Sequence, residues 1–170
     1  MLHTLYQRNI RANTQPIVGG CQCESTRFAL SARPLFTHAC HCLVCRRRSG
    51  TAFALSTTVL RDDLAVTRGR VTAKPISPRT TIYRCVTCET TLYSGSTQYP
   101  ATYIVRGGTF DDPNVAEPNA HTWVKRMHPW IVLPAHVLRF EEDYEINTAW
   151  PHEVLARLAA ANARISPGPD

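Results

Sequence analysis

Residues 40–50 read CHCLVCRRRSG, and this cysteine-rich stretch decides the fold. Two shorter cysteine clusters lie on either side of it, GGCQC at residues 19–23 and CVTC at residues 85–88. Together the three clusters contain all seven cysteines of the 170-residue chain. Thiolates two or three residues apart on a turn can bind one soft cation from the same side, as zinc in sulfur coordination requires. The pattern therefore predicts metal sites.

The number of cysteines predicts how many metals there are. A closed tetrahedral site uses four sulfurs, which the two cysteine pairs can supply. The triplet then offers three ligands and leaves one coordination position open, as in reactive zinc sites. The count thus predicts two Zn²⁺ per chain, one structural and one catalytic, although spacing alone does not sort the sulfurs between them.

A disulfide framework is the main alternative for so many cysteines. Seven is an odd number, and cysteines separated by one residue, such as Cys21 and Cys23, are poor bridging partners. Residues 1–20 contain no apolar core of a signal peptide, and no apolar run of about 18 residues predicts a membrane span. We therefore expect a cytoplasmic protein without membrane contact, in which such clusters favour metal over disulfides.

The net charge carries less information about partners than it first suggests. The formal charge is +6 and the isoelectric point is near 9.1, which would ordinarily indicate nucleic acid. Seven thiolates and two Zn²⁺ ions together would reduce that charge to about +3. The aromatic residues are scattered and form no stacking platform, so the composition argues against a nucleic-acid partner. The oligomeric state is left open.

The local pattern predicts one mainly β domain. Residues 1–16 are polar and are expected to form an N-terminal extension. Short β-like runs follow, separated by turns such as Gly19-Gly20, and residues 107–122 are expected to form a long loop. Apolar residues at helical spacing predict one helix at about 151–164. The predicted strands are residues 26–30, 52–59, 64–67, 80–84, 91–93 and 103–106.

The order of the motifs resembles that of a known family, the glutathione-dependent formaldehyde-activating enzymes with their centromere protein V-like relatives. The resemblance rests on the three cysteine motifs, and on GTFDDP at residues 108–113 and HTWV at residues 121–124. It implies an Mss4-like β-tent, built from short antiparallel sheets around zinc, to which the predicted C-terminal helix is added. It also implies a zinc domain over residues 17–143, followed by a tail over residues 144–170.

The resemblance also assigns the sulfurs and the chemistry. It implies that Cys21, Cys23, Cys85 and Cys88 hold the structural zinc, and that Cys40, Cys42 and Cys45 hold the second zinc, open to a substrate thiol. The implied activity is that of a carbon–sulfur lyase like S-hydroxymethylglutathione synthase. Its partners would be glutathione or a similar small thiol, and formaldehyde or another small aldehyde.

Residues near the triplet are candidates for substrate chemistry. We expect His41 to act as a proton shuttle, Arg46 and Arg47 to bind the carboxylates of glutathione, and His121 to line the pocket. The competing interpretations are a packing histidine and a solvated run of charge. His38 is an alternative fourth ligand, which would close the second zinc and remove the enzymatic interpretation.

Two residues of this chain depart from the family pattern. Glu24 and Glu89 stand where the family commonly has glycine after a metal-binding turn, a position that usually requires a positive φ angle. Either these turns shift, or the two glutamates accept strain and add negative charge.

The alternatives to an enzyme are a non-catalytic zinc module that binds protein or nucleic acid, and a glutathione carrier.

Overall fold

The computed structural model of the protein describes residues 16–165. A small antiparallel sheet has the strand order β1-β2-β5. Its strands are β1 (Ile17–Gly20), β2 (Arg27–Leu30) and β5 (Leu64–Arg68). The predicted extension over residues 1–16 lies almost wholly outside the described residues.

A larger sheet of eight strands has the order β11-β10-β3-β4-β9-β8-β7-β6. The strand β10 runs parallel to both β3 and β11, whereas the other pairs in the described part of the chain are antiparallel. The prediction of antiparallel sheets therefore holds except at this one edge, where β10 pairs in parallel with its two neighbours. The strands are β3 (Phe36–Cys40), β4 (Ala54–Leu60), β6 (Val71–Ser77), β7 (Thr80–Cys85), β8 (Thr91–Ser96), β9 (Thr102–Arg106), β10 (Ala120–Thr122) and β11 (Leu138–Phe140).

Two apolar clusters hold these elements together. The first contains residues of both sheets, among them Phe28 and Val105, which are fully buried. The second joins Leu35, just before β3, and Leu60, at the end of β4, to the C-terminal helix α3 (His152–Arg164) and to Trp150, which follows the short helix α2 (Ile146–Ala149). Val59 belongs to the first cluster and its neighbour Leu60 to the second, because successive strand residues face opposite sides. The fold is mainly β with a C-terminal helix, as predicted.

Several local predictions need correction. A short helix, α1 (Leu43–Ser49), follows the cysteine triplet, although the sequence indicated a helix only near the C-terminus. Gly19 and Gly20 lie in β1 rather than in a turn. A Cβ atom at Gly19 would lie 2.3 Å from the carbonyl oxygen of Thr109, so glycine permits close packing there. The predicted loop over residues 107–122 contains 3-10 turns and ends in β10.

None of the helices within residues 16–165 combines the length and the apolar character that a bilayer span requires.

Candidate metal centres

Four cysteines converge where the turn after β1 meets the turn between β7 and β8. The Sγ atoms of Cys21, Cys23, Cys85 and Cys88 all lie within 4.8 Å of one another. The Cys21–Cys23 and Cys23–Cys85 sulfur distances are 3.5 and 3.9 Å. A tetrahedral zinc with bonds of about 2.3 Å separates its sulfurs by about 3.8 Å. All of these cysteines are free thiols, and the four-sulfur donor set fits a closed zinc site.

Hydroxyl groups surround this four-cysteine group. The Ser25 hydroxyl lies 3.0 Å from the sulfur of Cys23 and 3.3 Å from that of Cys85. Hydrogen bonds from the Ser25 and then the Thr26 hydroxyl lower the pKa of Cys85 to about 5. The Thr90 hydroxyl in the same way lowers the pKa of Cys88 to about 7. Because metals bind thiolates rather than thiols, these contacts favour the metal-binding form of Cys85 and Cys88.

Glu24 and Glu89 adopt the positive φ angle that glycine would take at these turns. Both have φ of 60°, so the turn geometry is kept and the glutamates carry the strain. The Glu24 amide donates to the carbonyl of Cys21 at 3.0 Å, and the Glu89 amide donates to that of Cys85 at 3.0 Å. Each strained residue therefore closes a turn that holds one cysteine pair.

Relieving that strain should stabilise the protein. We expect Glu24→Gly and Glu89→Gly each to raise the free energy of unfolding by about 1 kcal/mol, because the left-handed conformation penalises a residue with a Cβ. That gain corresponds to a rise of about 3 °C in Tm, measured by thermal unfolding of the metal-loaded protein. Glu117→Gly is the matched control: Glu117 is exposed with φ of −56°, and glycine should bring no gain there. An unchanged or lower Tm in both variants would show that the turns are not strained.

The second group of cysteines lies where β3 meets α1. The Sγ atoms of Cys40, Cys42 and Cys45 lie within 4.8 Å of one another. Cys40 ends β3, Cys42 is the N-cap of α1, and Cys45 lies in the first turn of that helix. The sulfur of Cys42 accepts a hydrogen bond from the Cys45 amide at 3.4 Å. A bond from the Cys45 thiol is the main cause that lowers the pKa of Cys40 to about 5.

This three-cysteine group has no fourth protein ligand in the part of the chain that the structure describes. Neither a histidine nor a carboxylate within residues 16–165 joins the three sulfurs. His38 instead shares a hydrogen bond of 3.2 Å with the Tyr144 hydroxyl, which also accepts from the indole of Trp150 at 3.2 Å. The alternative in which His38 closes the second zinc therefore lacks the necessary geometry. The donor set fits a metal with one position open.

His41 and His121 meet each other rather than the three sulfurs. Nε2 of His41 and Nδ1 of His121 are joined by a hydrogen bond of 2.9 Å, and both rings pack against Phe53. Pairing of Cys40 with Thr122, and of Ala39 with His121, places His121 on the face of the sheet opposite to Cys40. His41 is fully buried, and burial is the main cause that lowers its pKa to about 4. This placement suits support of the Cys40–Cys42 turn better than contact with a substrate.

The arginines that follow the triplet have different surroundings. Arg46 donates to the carbonyl of Arg126 at 3.0 Å and to Nε2 of His128, so it ties α1 to the loop after β10. Arg47 is exposed. The sequence did not indicate Arg106, which ends β9 half-buried and interacts electrostatically with Cys45. Only the strand order could have revealed it, because Arg106 lies 61 residues from Cys45 in sequence.

Comparison with known proteins gives a matching family model and a similar solved structure. A family model described as glutathione-dependent formaldehyde-activating enzyme matches residues 16–126. A search of the curated proteins found no match. Among solved structures, a crystal structure of a Rhodobacter sphaeroides protein is similar, with 24% sequence identity and a TM-score of 0.47. That similarity covers 60% of this chain and 97% of the other.

Proposed function

The chain belongs to the glutathione-dependent formaldehyde-activating enzyme family, and from that membership we propose that it is a zinc-dependent carbon–sulfur lyase. The substrates would be a glutathione-like thiol and a small aldehyde. One observation carries the proposal: Cys40, Cys42 and Cys45 gather three sulfurs without a fourth ligand from residues 16–165. A purely structural centre would need that fourth ligand.

The two cysteine groups would have separate tasks. Cys21, Cys23, Cys85 and Cys88 would hold a structural zinc, and Cys40, Cys42 and Cys45 would hold the second zinc, making two per chain. Zinc at the second site supplies a soft Lewis acid that favours the thiolate form of a substrate thiol near pH 7. The chain itself presents the three sulfurs from the junction of β3 and α1, which the Cys42 cap and the buried His41–His121 pair would hold in place.

The reaction needs no oxidant or reductant. The substrate sulfur adds to the carbonyl carbon of the aldehyde, so a carbon–sulfur bond forms and the carbonyl π bond breaks. The proton of the thiol ends on the carbonyl oxygen, which becomes a hydroxyl group. The product is a thiohemiacetal, which is the S-hydroxymethyl adduct when the aldehyde is formaldehyde, and the reverse reaction releases both substrates. His41 is shielded from solvent and would act as a positioning residue. Solvent water, rather than His41, would carry the proton from the thiol to the carbonyl oxygen.

Exchange spectroscopy can test this proposal directly. Two-dimensional NMR exchange between glutathione and its formaldehyde adduct measures the rate of adduct formation with and without the zinc-loaded protein. We expect two zinc ions per chain and an exchange rate that rises in proportion to protein concentration. Thiol binding without faster exchange would support the glutathione carrier instead. Two closed zinc sites, with no thiol binding, would support the non-catalytic module.

A further inference from the structure

Two guanidinium groups flank the three-cysteine group without being its ligands. Arg48 lies three residues after Cys45 on α1, so the two side chains share one face of that helix. Arg106 is the last residue of β9, and its charge interacts with both Cys45 and Arg48. The site therefore brings two cations together from distant parts of the chain.

The strand register explains how Arg106 arrives there. Arg106 pairs with Ser56 on β4, and Ser56 pairs with His38 on β3. Paired residues share a face, and His38 and Cys40 share it too because they are two residues apart. Arg106 and Cys40 are separated by two strand spacings across the sheet and by two residues along β3. These two offsets place their Cα atoms about 12 Å apart. An arginine side chain spans about half of that distance, so the guanidinium can reach a ligand bound beside the three sulfurs.

Arg106 has no acidic partner, which is unusual for a half-buried cation. Its side chain makes no hydrogen bond or ion pair with residues 16–165, where the ion pairs of other arginines involve Arg27, Arg84, Arg157 and Arg164. Burial lowers the pKa of Arg106 below that of an ordinary arginine. Its nitrogens nevertheless remain open to solvent, because His41 Nδ1 is the only buried, unpartnered side-chain polar atom in the described region. The guanidinium is thus unpaired and reachable.

We propose that Arg106, assisted by Arg48, forms a carboxylate-binding subsite beside the three-cysteine group and selects thiols that carry a carboxylate a few bonds from the sulfur. The inference rests on the proposed function, because the thiol must first bind at the open position. A guanidinium offers paired N–H donors that match the two oxygens of a carboxylate. Arg46 is engaged with Arg126 and His128, so the carboxylate role predicted for it passes to Arg106.

Calorimetry with two matched thiols tests the subsite. N-Acetylcysteine and N-acetylcysteine amide differ only in the carboxylate, and each is titrated into the zinc-loaded protein without aldehyde. We expect the wild-type protein to bind the acid at least about tenfold more tightly than the amide, as a charge-assisted bond predicts. Arg106→Gln should remove that preference, Arg106→Lys should keep part of it, and Arg48→Gln should reduce it. Arg79→Gln, an exposed arginine on the β6–β7 turn, should leave it intact.

Four results would overturn the subsite. Equal binding of both thiols by the wild-type protein would remove the carboxylate preference while leaving the open metal site in place. An equal loss for both thiols in Arg106→Gln would show that Arg106 only offsets the charge of the sulfurs. Loss of the preference in Arg47→Gln, with Arg106→Gln unaffected, would assign it to Arg47. No binding of either thiol would instead overturn the proposed function, and the subsite with it.

Discussion

Replacement of Cys42 by serine is expected to abolish thiol-dependent activity while leaving the fold intact. The thiol of Cys42 is both a member of the three-cysteine group and the N-cap of α1. Serine is among the preferred N-cap residues, so the helix should keep its start. The hydroxyl is a poor replacement for a zinc-binding thiolate. Loss of a group that only supports a metal ligand costs about 10–100-fold in activity, so loss of the ligand should exceed 100-fold.

The measurements for Cys42→Ser are exchange NMR, metal content and Tm. We expect the metal content to fall from two zinc ions to one, with Tm close to that of the wild-type protein. Cys42→Ala is the companion variant, which should lose both the sulfur and the cap. Activity that survives in Cys42→Ser with only one zinc bound would place the chemistry elsewhere.

Removal of two ligands from the four-cysteine group should instead unfold the protein, because this group would hold the structural zinc. Cys23 is exposed and Cys88 is half-buried at the margin of the first apolar cluster, so Cys23→Ser/Cys88→Ser replaces no fully buried core residue. Structural zinc contributes about 10–16 kcal/mol in zinc-finger peptides. That range matches or exceeds the whole stability of a typical domain, which is about 5–15 kcal/mol. The double variant should therefore lose cooperative unfolding altogether.

Circular dichroism melting and hydrogen exchange check this second prediction. The four-cysteine group joins the small sheet, through the turn after β1, to the β7–β8 turn of the large sheet. Amide protection in the double variant should therefore be weakest in β1, β2, β7 and β8. Cys42→Ser serves as the matched control, since it also replaces metal-binding sulfur by oxygen. A double variant that melts like the wild-type protein would show that this group carries no structural metal.

The sequence was most informative where chemistry depends on spacing. Cysteine counting indicated four sulfurs and three, and the family resemblance sorted them into the two groups that the structure brings together. The C-terminal helix was also predictable, because Val154, Leu158 and Ala161 repeat at helical spacing and pack in the second apolar cluster.

Features that depend on tertiary contacts could not be predicted. The helix α1 is only seven residues long and begins at a cysteine cap, so it lacks the usual start signals. The three-residue strand β10 is too short to show periodicity, yet its parallel pairing places His121 beside His41. Arg106 is indistinguishable in sequence from other basic residues. Its significance comes from the register that carries it to the face of Cys40.

The open coordination position beside Cys40, Cys42 and Cys45 is the central claim. A crystal of the zinc-loaded protein soaked with glutathione tests it most directly. We predict a zinc bound by the three cysteine sulfurs, with the glutathione sulfur as fourth ligand at about 2.3 Å. A zinc whose fourth position is filled by His38 or another side chain of the protein, and which glutathione does not displace, would contradict the claim.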